Sequence, residues 1–471
     1  MCKIASNSAS IVPDSEIRQE AARRSSHAYR PFFLAGILFM LLAGAGWGLL
    51  LVIKFAIARD YTEFSIHQLN AHGRAMISGF VNLFIIGFAY QAFSGLIAHP
   101  IATPRTRLAT FVLLIVGIIT SIIGQLLWPH RAAWSVTIIG DSIELLAVTA
   151  FAIQLVSAFF KGKTTLQPFL GFIFIATGFM VLQSLGALLL NTKTLAAESP
   201  MEIVYYVSIY QPPLRNIQFH GTALLMIIGV AHRLLPNFYD IPRASNRTTW
   251  LALAICTSSV IVEGVFFIMM RLTENPRFGA TIMLAWIGLL IGVLMIVGRW
   301  RVWRTMRDRN GRADRMQKFV RASIIWLGAA WILLVILPLW SRFVANTYFS
   351  HAFYGAGRQA FVFGFVSMMI FAFSIKVVPT LNGIVPTRLR SLGDVFWMAN
   401  IGCALHVMLQ VAGDVWPVAF RLLPIAGALE AAAIVSWAAH LWWCMREGKR
   451  SSSRSVPEAS TRNVKLRIVT G

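Results

Sequence analysis

The stretch GVAHRLLP occupies residues 229–236, near the end of a long apolar run. Related stretches stand at 87–94 (GFAYQAFS) and at 372–379 (AFSIKVVP), and each of the three is followed by prolines and an arginine. Because they begin at Gly87, Gly229 and Ala372, the two intervals between them differ by a single position. A long and nearly constant period indicates one structural unit used three times. The repeat therefore predicts the architecture before any single side chain is interpreted.

The composition places the chain in a membrane. It is 57% hydrophobic and 13% charged, with a mean hydropathy of +0.67. A soluble domain cannot bury so much apolar surface, and in lipid the backbone polar groups must be satisfied within helices. We therefore predict an all-α membrane protein with about twelve transmembrane helices in three pseudo-repeated arcs of four, the repeated stretch falling on helices 2, 6 and 10. The predicted helices are 31–57, 72–97, 106–128, 134–159, 168–191, 214–238, 248–270, 279–303, 319–344, 354–379, 391–412 and 416–444.

The three repeats are predicted at about 31–160, 168–303 and 319–445, within one transmembrane domain. Residues 1–30 are polar and precede a full-length span, so we expect a cytoplasmic tail rather than a signal peptide. The basic, Ser/Arg-rich residues 446–471 are expected to be disordered.

The basic residues behind the net charge of +23 lie mainly in loops on one predicted side of the membrane, rather than in a cluster that would bind nucleic acid. Loops after even-numbered helices are basic, and the opposite loops carry mixed charge. This pattern predicts that both termini lie in the cytoplasm and that the lipid bilayer, without nucleic acid, is the partner. The four cysteines have no metal-ligand spacing, and we interpret them as small hydrophobic residues.

Histidines collect towards the predicted outer face. With the N-terminus inside, helices 2, 6 and 10 run inwards, which puts His72, His220 and His351 near their outer ends. His67 is expected in an outer loop, and His406 in the outer half of helix 11. A lone histidine at a helix end usually sits at the headgroup level, but clustering on one side favours ligands for haem iron or copper. His72 and His220 are the first candidates.

Arg74, Arg215 and Arg358 precede the first residue of the repeated stretch by nearly equal intervals, shorter by one position for Arg74. Two interpretations stay open. The side chains could snorkel to the headgroups, or they could hold carboxylates, such as haem propionates, by bidentate hydrogen bonds.

Four carboxylates lie within predicted spans: Asp141 and Glu144 in helix 4, Glu263 in helix 7 and Glu430 in helix 12. A shift by one repeat aligns Glu263 with His406, and a shift by two aligns Glu144 with Glu430. Ionisable groups in lipid are costly unless they face the interior or pair with one another. They therefore indicate either a proton or ion pathway, or structural pairing with the arginines.

Four stretches resemble the NnrS family, membrane proteins linked to the nitric-oxide response of denitrifying bacteria. Residues 30–33 (RPFF) are similar to that family's opening, and 72–80 (HGRAMISGF) to its helix-2 segment. Residues 218–236 resemble its helix-6 motif, and 358–369 its helix-10 motif. The resemblance runs from about residue 29 to 445, and it implies haem and copper binding. The twelve helices also resemble the catalytic subunit of haem-copper oxidases.

The chain departs from the family pattern at two positions. Where the family has His-x-His in helix 2, this chain has His72 and Arg74, and where relatives carry a histidine beside an arginine in helix 10, it has Gln359 after Arg358. His351 could substitute if helix 10 begins early. The copper-binding histidines of oxidases in helices 7 and 10 are missing, so we do not expect oxygen reduction or a conventional enzyme.

The resemblance implies a periplasmic-side haem and/or copper site that binds or senses nitric oxide or supports tolerance to nitrosative stress. In that interpretation His72 and His220 are ligands, and Arg215 and Arg358 hold propionates. Two alternatives remain: a metal-free transporter that uses Asp141, Glu144, Glu263 and Arg358, or a degenerate assembly partner.

Overall fold

A computed structural model describes residues 27–58, 65–239, 241–304 and 314–454, with side chains up to residue 447. All regular structure in these ranges is helical. Twelve of the described helices are long and apolar enough to cross a membrane, which confirms the all-α membrane fold. They are α1 Arg30–Ala58, α2 Ile66–Ile97, α3 Pro104–Leu126, α4 Ala132–Lys161, α5 Pro168–Ala196, α6 Pro200–Tyr239, α7 Asn246–Thr273, α8 Arg277–Trp300, α9 Met316–Phe343, α10 His351–Leu381, α11 Gly393–Gly413 and α12 Pro417–Glu447.

Helices α2, α6 and α10, which carry the repeated stretch, form the centre of the bundle. Their most apolar windows are 72%, 83% and 72% buried, against 28–44% for the other nine spans. Just beyond the middle of these helices they enclose an apolar cavity, to which each contributes an equivalent isoleucine: Ile85, Ile227 and Ile370. The three helices therefore meet around a shared space. The grouping of all twelve helices into three arcs stays a prediction.

The three central helices begin earlier than the apolar runs predicted. Starts were expected at 72, 214 and 354, and these were wrong, most of all for α6. Each helix begins after a serine whose hydroxyl accepts a backbone N–H: Ser65 for α2, Ser199 for α6 and Ser350 for α10. Such N-caps stabilise a polar first turn that carries no hydropathy signal. His67, expected in a loop, therefore lies in α2, and His351 is the first residue of α10.

A π-helical segment interrupts each central helix at the same place. The segments are Ala75–Asn82, Ile217–Leu224 and Ala360–Ser367, and their first residues have the same spacing as Gly87, Gly229 and Ala372. A further one, Met40–Gly46, lies in α1. π-helical turns are rare and occur often at functional sites. The repeat seen in the sequence is thus also a repeat of backbone geometry.

A glycine in each of these segments permits close contact with an aromatic ring. A Cβ added at these glycines would lie 2.6, 2.7 and 2.5 Å from a ring carbon, closer than van der Waals contact allows. The pairs are Gly79 with Phe39 of α1, Gly221 with Phe179 of α5 and Gly364 with Trp326 of α9. Each partner ring comes from the first helix of a predicted repeat, so the same packing joins equivalent helices three times.

The start of α1 docks on the ends of α2 and α10. The Tyr29 hydroxyl accepts a hydrogen bond from Nδ2 of Asn382 at 2.6 Å, and Arg30 donates to Oδ1 of the same amide. Phe33 stacks on Phe84 with ring centroids 4.2 Å apart. Burial of its phenol raises the pKa of Tyr29, which lies before the first span. The RPFF stretch therefore fixes α1 against the central helices.

The predicted tails lie mostly outside the described residues. Of residues 1–30 the structure describes only 27–30, of which Ala28 and Tyr29 are buried. The last helix continues from α12 to Arg454. Residues 455–471 of the predicted C-terminal tail are outside the described part.

Candidate functional site

A hydrogen-bond donor stands directly before each π segment of the central helices. The three donors are Arg74, Asn216 and Gln359, which therefore keep the spacing of the repeat. Each reaches a carboxylate on a surrounding helix: Asp141 and Glu144 of α4 for the first, Glu263 of α7 for the second and Glu430 of α12 for the third. All four predicted intramembrane acids are therefore engaged at one level of the bundle.

The first of these contacts is a buried cluster of three charges. Nη1 of Arg74 lies 2.7 Å from Oδ1 of Asp141 and 2.5 Å from Oε2 of Glu144. Ser121 and Asn191 donate to the two oxygens of Asp141 at 2.6 and 2.7 Å. Asp141 and Glu144 thus share one guanidinium, so the cluster contains two carboxyl groups and one cation. Arg74 pairs within the protein and does not snorkel.

The second contact orients a histidine. Oε1 of Glu263 accepts from Nδ2 of Asn216 at 2.8 Å and from Nε1 of Trp286 at 2.5 Å, while Oε2 lies 2.9 Å from Nδ1 of His220. The carboxylate oxygen can accept a hydrogen bond from Nδ1 of His220. In the neutral ring with that tautomer, the lone pair is on Nε2. A carboxylate on the other nitrogen is the usual support of a metal-bound histidine.

The third contact involves Gln359, which stands where relatives carry a histidine beside an arginine. Nε2 of Gln359 donates to Oε1 of Glu430 at 2.8 Å, and Nδ1 of His406 lies 3.3 Å from Oε2. Gln359 thus occupies the place of Arg74 and Asn216 in its repeat. His406, which aligns with Glu263, takes part in the same contact.

His72 is held against α1. Its Nδ1 lies 3.1 Å from the carbonyl oxygen of Ala43, within the π segment of that helix. A carbonyl can only accept, so Nδ1 is the protonated nitrogen and the lone pair is on Nε2. A Cβ on Gly48 would lie 3.2 Å from Cε1 of His72. The imidazole is oriented as a ligand requires, but it faces a different helix from His220.

His220 lines a cavity between α6, α9 and α10, called here the His220 cavity. Polar groups come from Asn216, His220, Tyr354 and Arg358, and the walls are aromatic and aliphatic: Phe219, Ala330, Trp331, Leu333, Leu334, Leu337, Phe353 and Phe361. His72 is not among the lining residues.

A second cavity, called here the polar chamber, lies between α2, α3, α4, α5 and α6. Its lining is mostly polar: Asn70, Arg74, Ser78, Gln125, Glu144, Gln183, Ser184, Asn191, Gln211, Arg215 and Gln218, with Ala187, Leu190 and Leu214. The Arg74 cluster therefore borders this chamber and not the His220 cavity.

Arg215 and Arg358 differ from Arg74 because neither has a carboxylate partner within the described residues. Arg215 donates to amide oxygens of Gln218 and Asn70 at 2.9 and 2.8 Å. The guanidinium of Arg358 lies 5.6 and 5.7 Å from two aromatic ring centroids. In both residues Nε is buried, and it has no hydrogen-bond partner among the described residues. Each keeps capacity for an external carboxylate.

The remaining histidine candidates lie apart from both cavities. His67 is buried in α2 with its ring 5.1 Å from that of Trp128, and neither ring nitrogen has a partner within the described ranges. His351 is exposed at the start of α10. The structure does not bring either beside His220.

The donor sets differ in how they fit the two expected cofactors. Across the described residues, no three His, Cys, Asp or Glu side chains come together in a way that could hold a metal ion. These residues therefore do not fit copper held by protein donors alone. A haem needs one axial imidazole and apolar walls, and the His220 cavity supplies both.

A family model described as NnrS protein matches residues 24–449 of the chain, which include all twelve spans. The chain belongs to the NnrS family. A comparison with curated proteins found no match.

Two functional partners in this NnrS-family chain were missed by sequence reasoning. Asn216 and Trp286 both hydrogen-bond to Glu263. The sequence contained a signal for Asn216, because the repeat spacing makes its position equivalent to those of Arg74 and Gln359. No sequence signal identifies Trp286, since its indole meets Glu263 only through the packing of α8 on α7.

Proposed function

We propose that this NnrS-family protein holds one haem in the His220 cavity, binds nitric oxide there, and so takes part in nitric-oxide response or nitrosative-stress tolerance. The observation that carries the proposal is the contact of Nδ1 of His220 with Glu263 at 2.9 Å. It leaves Nε2 as the free nitrogen of a residue that lines an apolar cavity.

Each residue around the cavity has a defined task. Glu263 fixes the ring of His220 and raises its basicity as a ligand. The apolar walls exclude water. Arg358 lines the cavity and offers a guanidinium without a carboxylate partner among the described residues, which suits a haem propionate. When bound, the haem supplies an iron with an open position for a diatomic gas.

Two further assignments belong to the proposal. His72 is the second candidate ligand, because its Nε2 is also the unprotonated nitrogen, and Arg215 is a second candidate for a propionate. The basic loops support an inner-membrane location with both termini in the cytoplasm. The site would then face the periplasm. We assign no role to copper, since the described donors do not fit it.

A visible absorption spectrum of the purified protein, expressed with sufficient haem, tests the proposal. We expect a Soret band that shifts when nitric oxide is added to the reduced protein. His220→Ala should abolish the band. His99→Ala, two residues beyond the end of α2, should retain it. A folded protein without a Soret band would refute the proposal.

A metal-free transporter is the second candidate. The observation that favours it is the polar chamber, since Glu144 borders a cavity among amide side chains within the bundle. Uptake of a polar solute by proteoliposomes, from protein without a Soret band, would favour this function.

A further inference from the structure

The polar chamber contains hydrogen-bonding capacity that the protein does not use. Gln125 and Gln183 expose 1% and 2% of their surface, and their Oε1 atoms have no partner within the described residues. The same holds for Oε1 of Gln211 and Nε of Arg215. Buried amide groups without a hydrogen-bond partner destabilise a folded protein, so a chamber with several of them suits a polar guest.

The charges around the chamber form two poles. Arg215 is a cation whose described partners are neutral amides. At the other end, Asp141 and Glu144 place two carboxyl groups on the single guanidinium of Arg74. The chamber therefore has a cationic pole and an acidic pole. A guest with a single charge would leave the opposite pole uncompensated, whereas a guest with both charges matches the two.

The polar atoms of the chamber that lack a hydrogen-bond partner indicate which groups the bound molecule must carry. Glu144 uses Oε2 for Arg74, and the three glutamines present unpartnered oxygens, so the guest must bring N–H donors. The unpartnered Nε of Arg215 requires an acceptor. We propose that the polar chamber binds a small zwitterion with a primary ammonium and a carboxylate, of the amino-acid class.

The packing of Gly73 supports a formed site at the Arg215 pole. A Cβ at Gly73 would lie 3.0 Å from Nη2 of Arg215 and 3.3 Å from its guanidinium carbon. The glycine of α2 thus makes room for the guanidinium of α6. The position of the guanidinium is fixed by this contact together with its hydrogen bonds to Asn70 and Gln218.

An apolar segment of α4 follows the charge cluster. Within two turns after Glu144, Ala147, Val148 and Phe151 are completely buried. Glu144 and the three glutamines do not line the His220 cavity. The acidic pole is therefore separate from the proposed haem, whereas Arg215 is also a candidate for a propionate.

Isothermal titration calorimetry on the full chain in lipid nanodiscs tests the proposal. The probes are glycine, L-alanine and L-serine, with acetate, methylammonium and glycine betaine as controls that each lack one required feature. We expect at least one amino acid to bind at least about tenfold more tightly than every control. Glu144→Gln and Arg215→Gln should each weaken that binding about tenfold or more.

Two further variants keep the test decisive. Gln183→Leu removes a wall amide without changing charge and should also weaken binding, while Arg390→Gln, at an exposed ion pair outside the chamber, should not. Glu144→Gln should leave the Soret band unchanged, which separates this test from that of the haem. Binding of acetate as tight as that of the amino acids, or no binding by any of the three, would overturn the proposal.

Discussion

Nε2 of Gln359 donates a hydrogen bond to Oε1 of Glu430 over 2.8 Å. Gln359 therefore does in the third repeat what Arg74 and Asn216 do in the first two, where the donor before the π segment also reaches a buried carboxylate. In the sequence, residue 359 resembles a position that has lost a histidine ligand. In the structure, its side chain forms a hydrogen bond between two helices.

Gln359→Leu should lower the free energy of unfolding by about 1–3 kcal/mol, because Glu430 loses a donor in a buried place. Denaturant unfolding in detergent measures the effect. The double variant Gln359→Leu with Glu430→Leu should be less destabilised than the sum of the two single variants, since the contacting pair is removed together. Strict additivity would contradict a direct contact.

Arg74→Met should destabilise the protein strongly, by about 3–5 kcal/mol, because two buried carboxylates lose their common cation. The matched control is Arg390→Ala, whose ion pair with Asp394 is exposed and should contribute about 1 kcal/mol or less. Adding Asp141→Asn and Glu144→Gln to Arg74→Met should recover part of the loss. Equal unfolding midpoints for Arg74→Met and Arg390→Ala would exclude a buried charge cluster.

Gly221→Ala should destabilise α6 by about 1–3 kcal/mol, since the new methyl group would lie 2.7 Å from Cγ of Phe179. Gly178→Ala, in the adjacent helix, is the control, because no atom lies within 4 Å of its added Cβ. That control should be neutral or slightly stabilising, as alanine is the better helix former. A thermal unfolding series distinguishes the two, and similar midpoints would contradict the close packing at the π segment.

Glu263→Gln should lower haem affinity about 10–100-fold if His220 is the axial ligand. The reduction potential of the bound haem should also rise, because a neutral amide makes the imidazole a poorer donor to ferric iron. Potentiometric titration of the Soret band measures this. Glu430→Gln, next to His406, should leave the potential unchanged. A potential equal to that of the unmodified protein in Glu263→Gln would exclude a positioning role for Glu263.

The membrane fold could be predicted because its signals are long and local. Apolar runs indicate helices directly, and the nearly constant spacing of the repeated stretch identified α2, α6 and α10 as equivalent. The starts of these helices could not be predicted by the same means. Residues 200–213 in α6 include Glu202 and three prolines, and only the cap at Ser199 shows that they are helical.

The candidate site was only partly accessible to sequence reasoning. The arginines at 74, 215 and 358 looked equivalent because they stand at nearly the same distance from the repeated stretch, but Arg74 is one position out of step. The structure aligns it with Asn216 and Gln359 through their common carboxylate contact. Interhelical partners such as Trp286 depend on how helices face one another, which no local pattern in one sequence encodes.

Each π segment rotates the second half of its central helix relative to the first half. Every later side chain on the helix therefore points in a different direction from the one that an uninterrupted α-helix would give it. The glycine in each segment and the ring that packs on it hold this offset in place. The donor directly before the segment can then be arginine, asparagine or glutamine without changing how the second half of the helix packs.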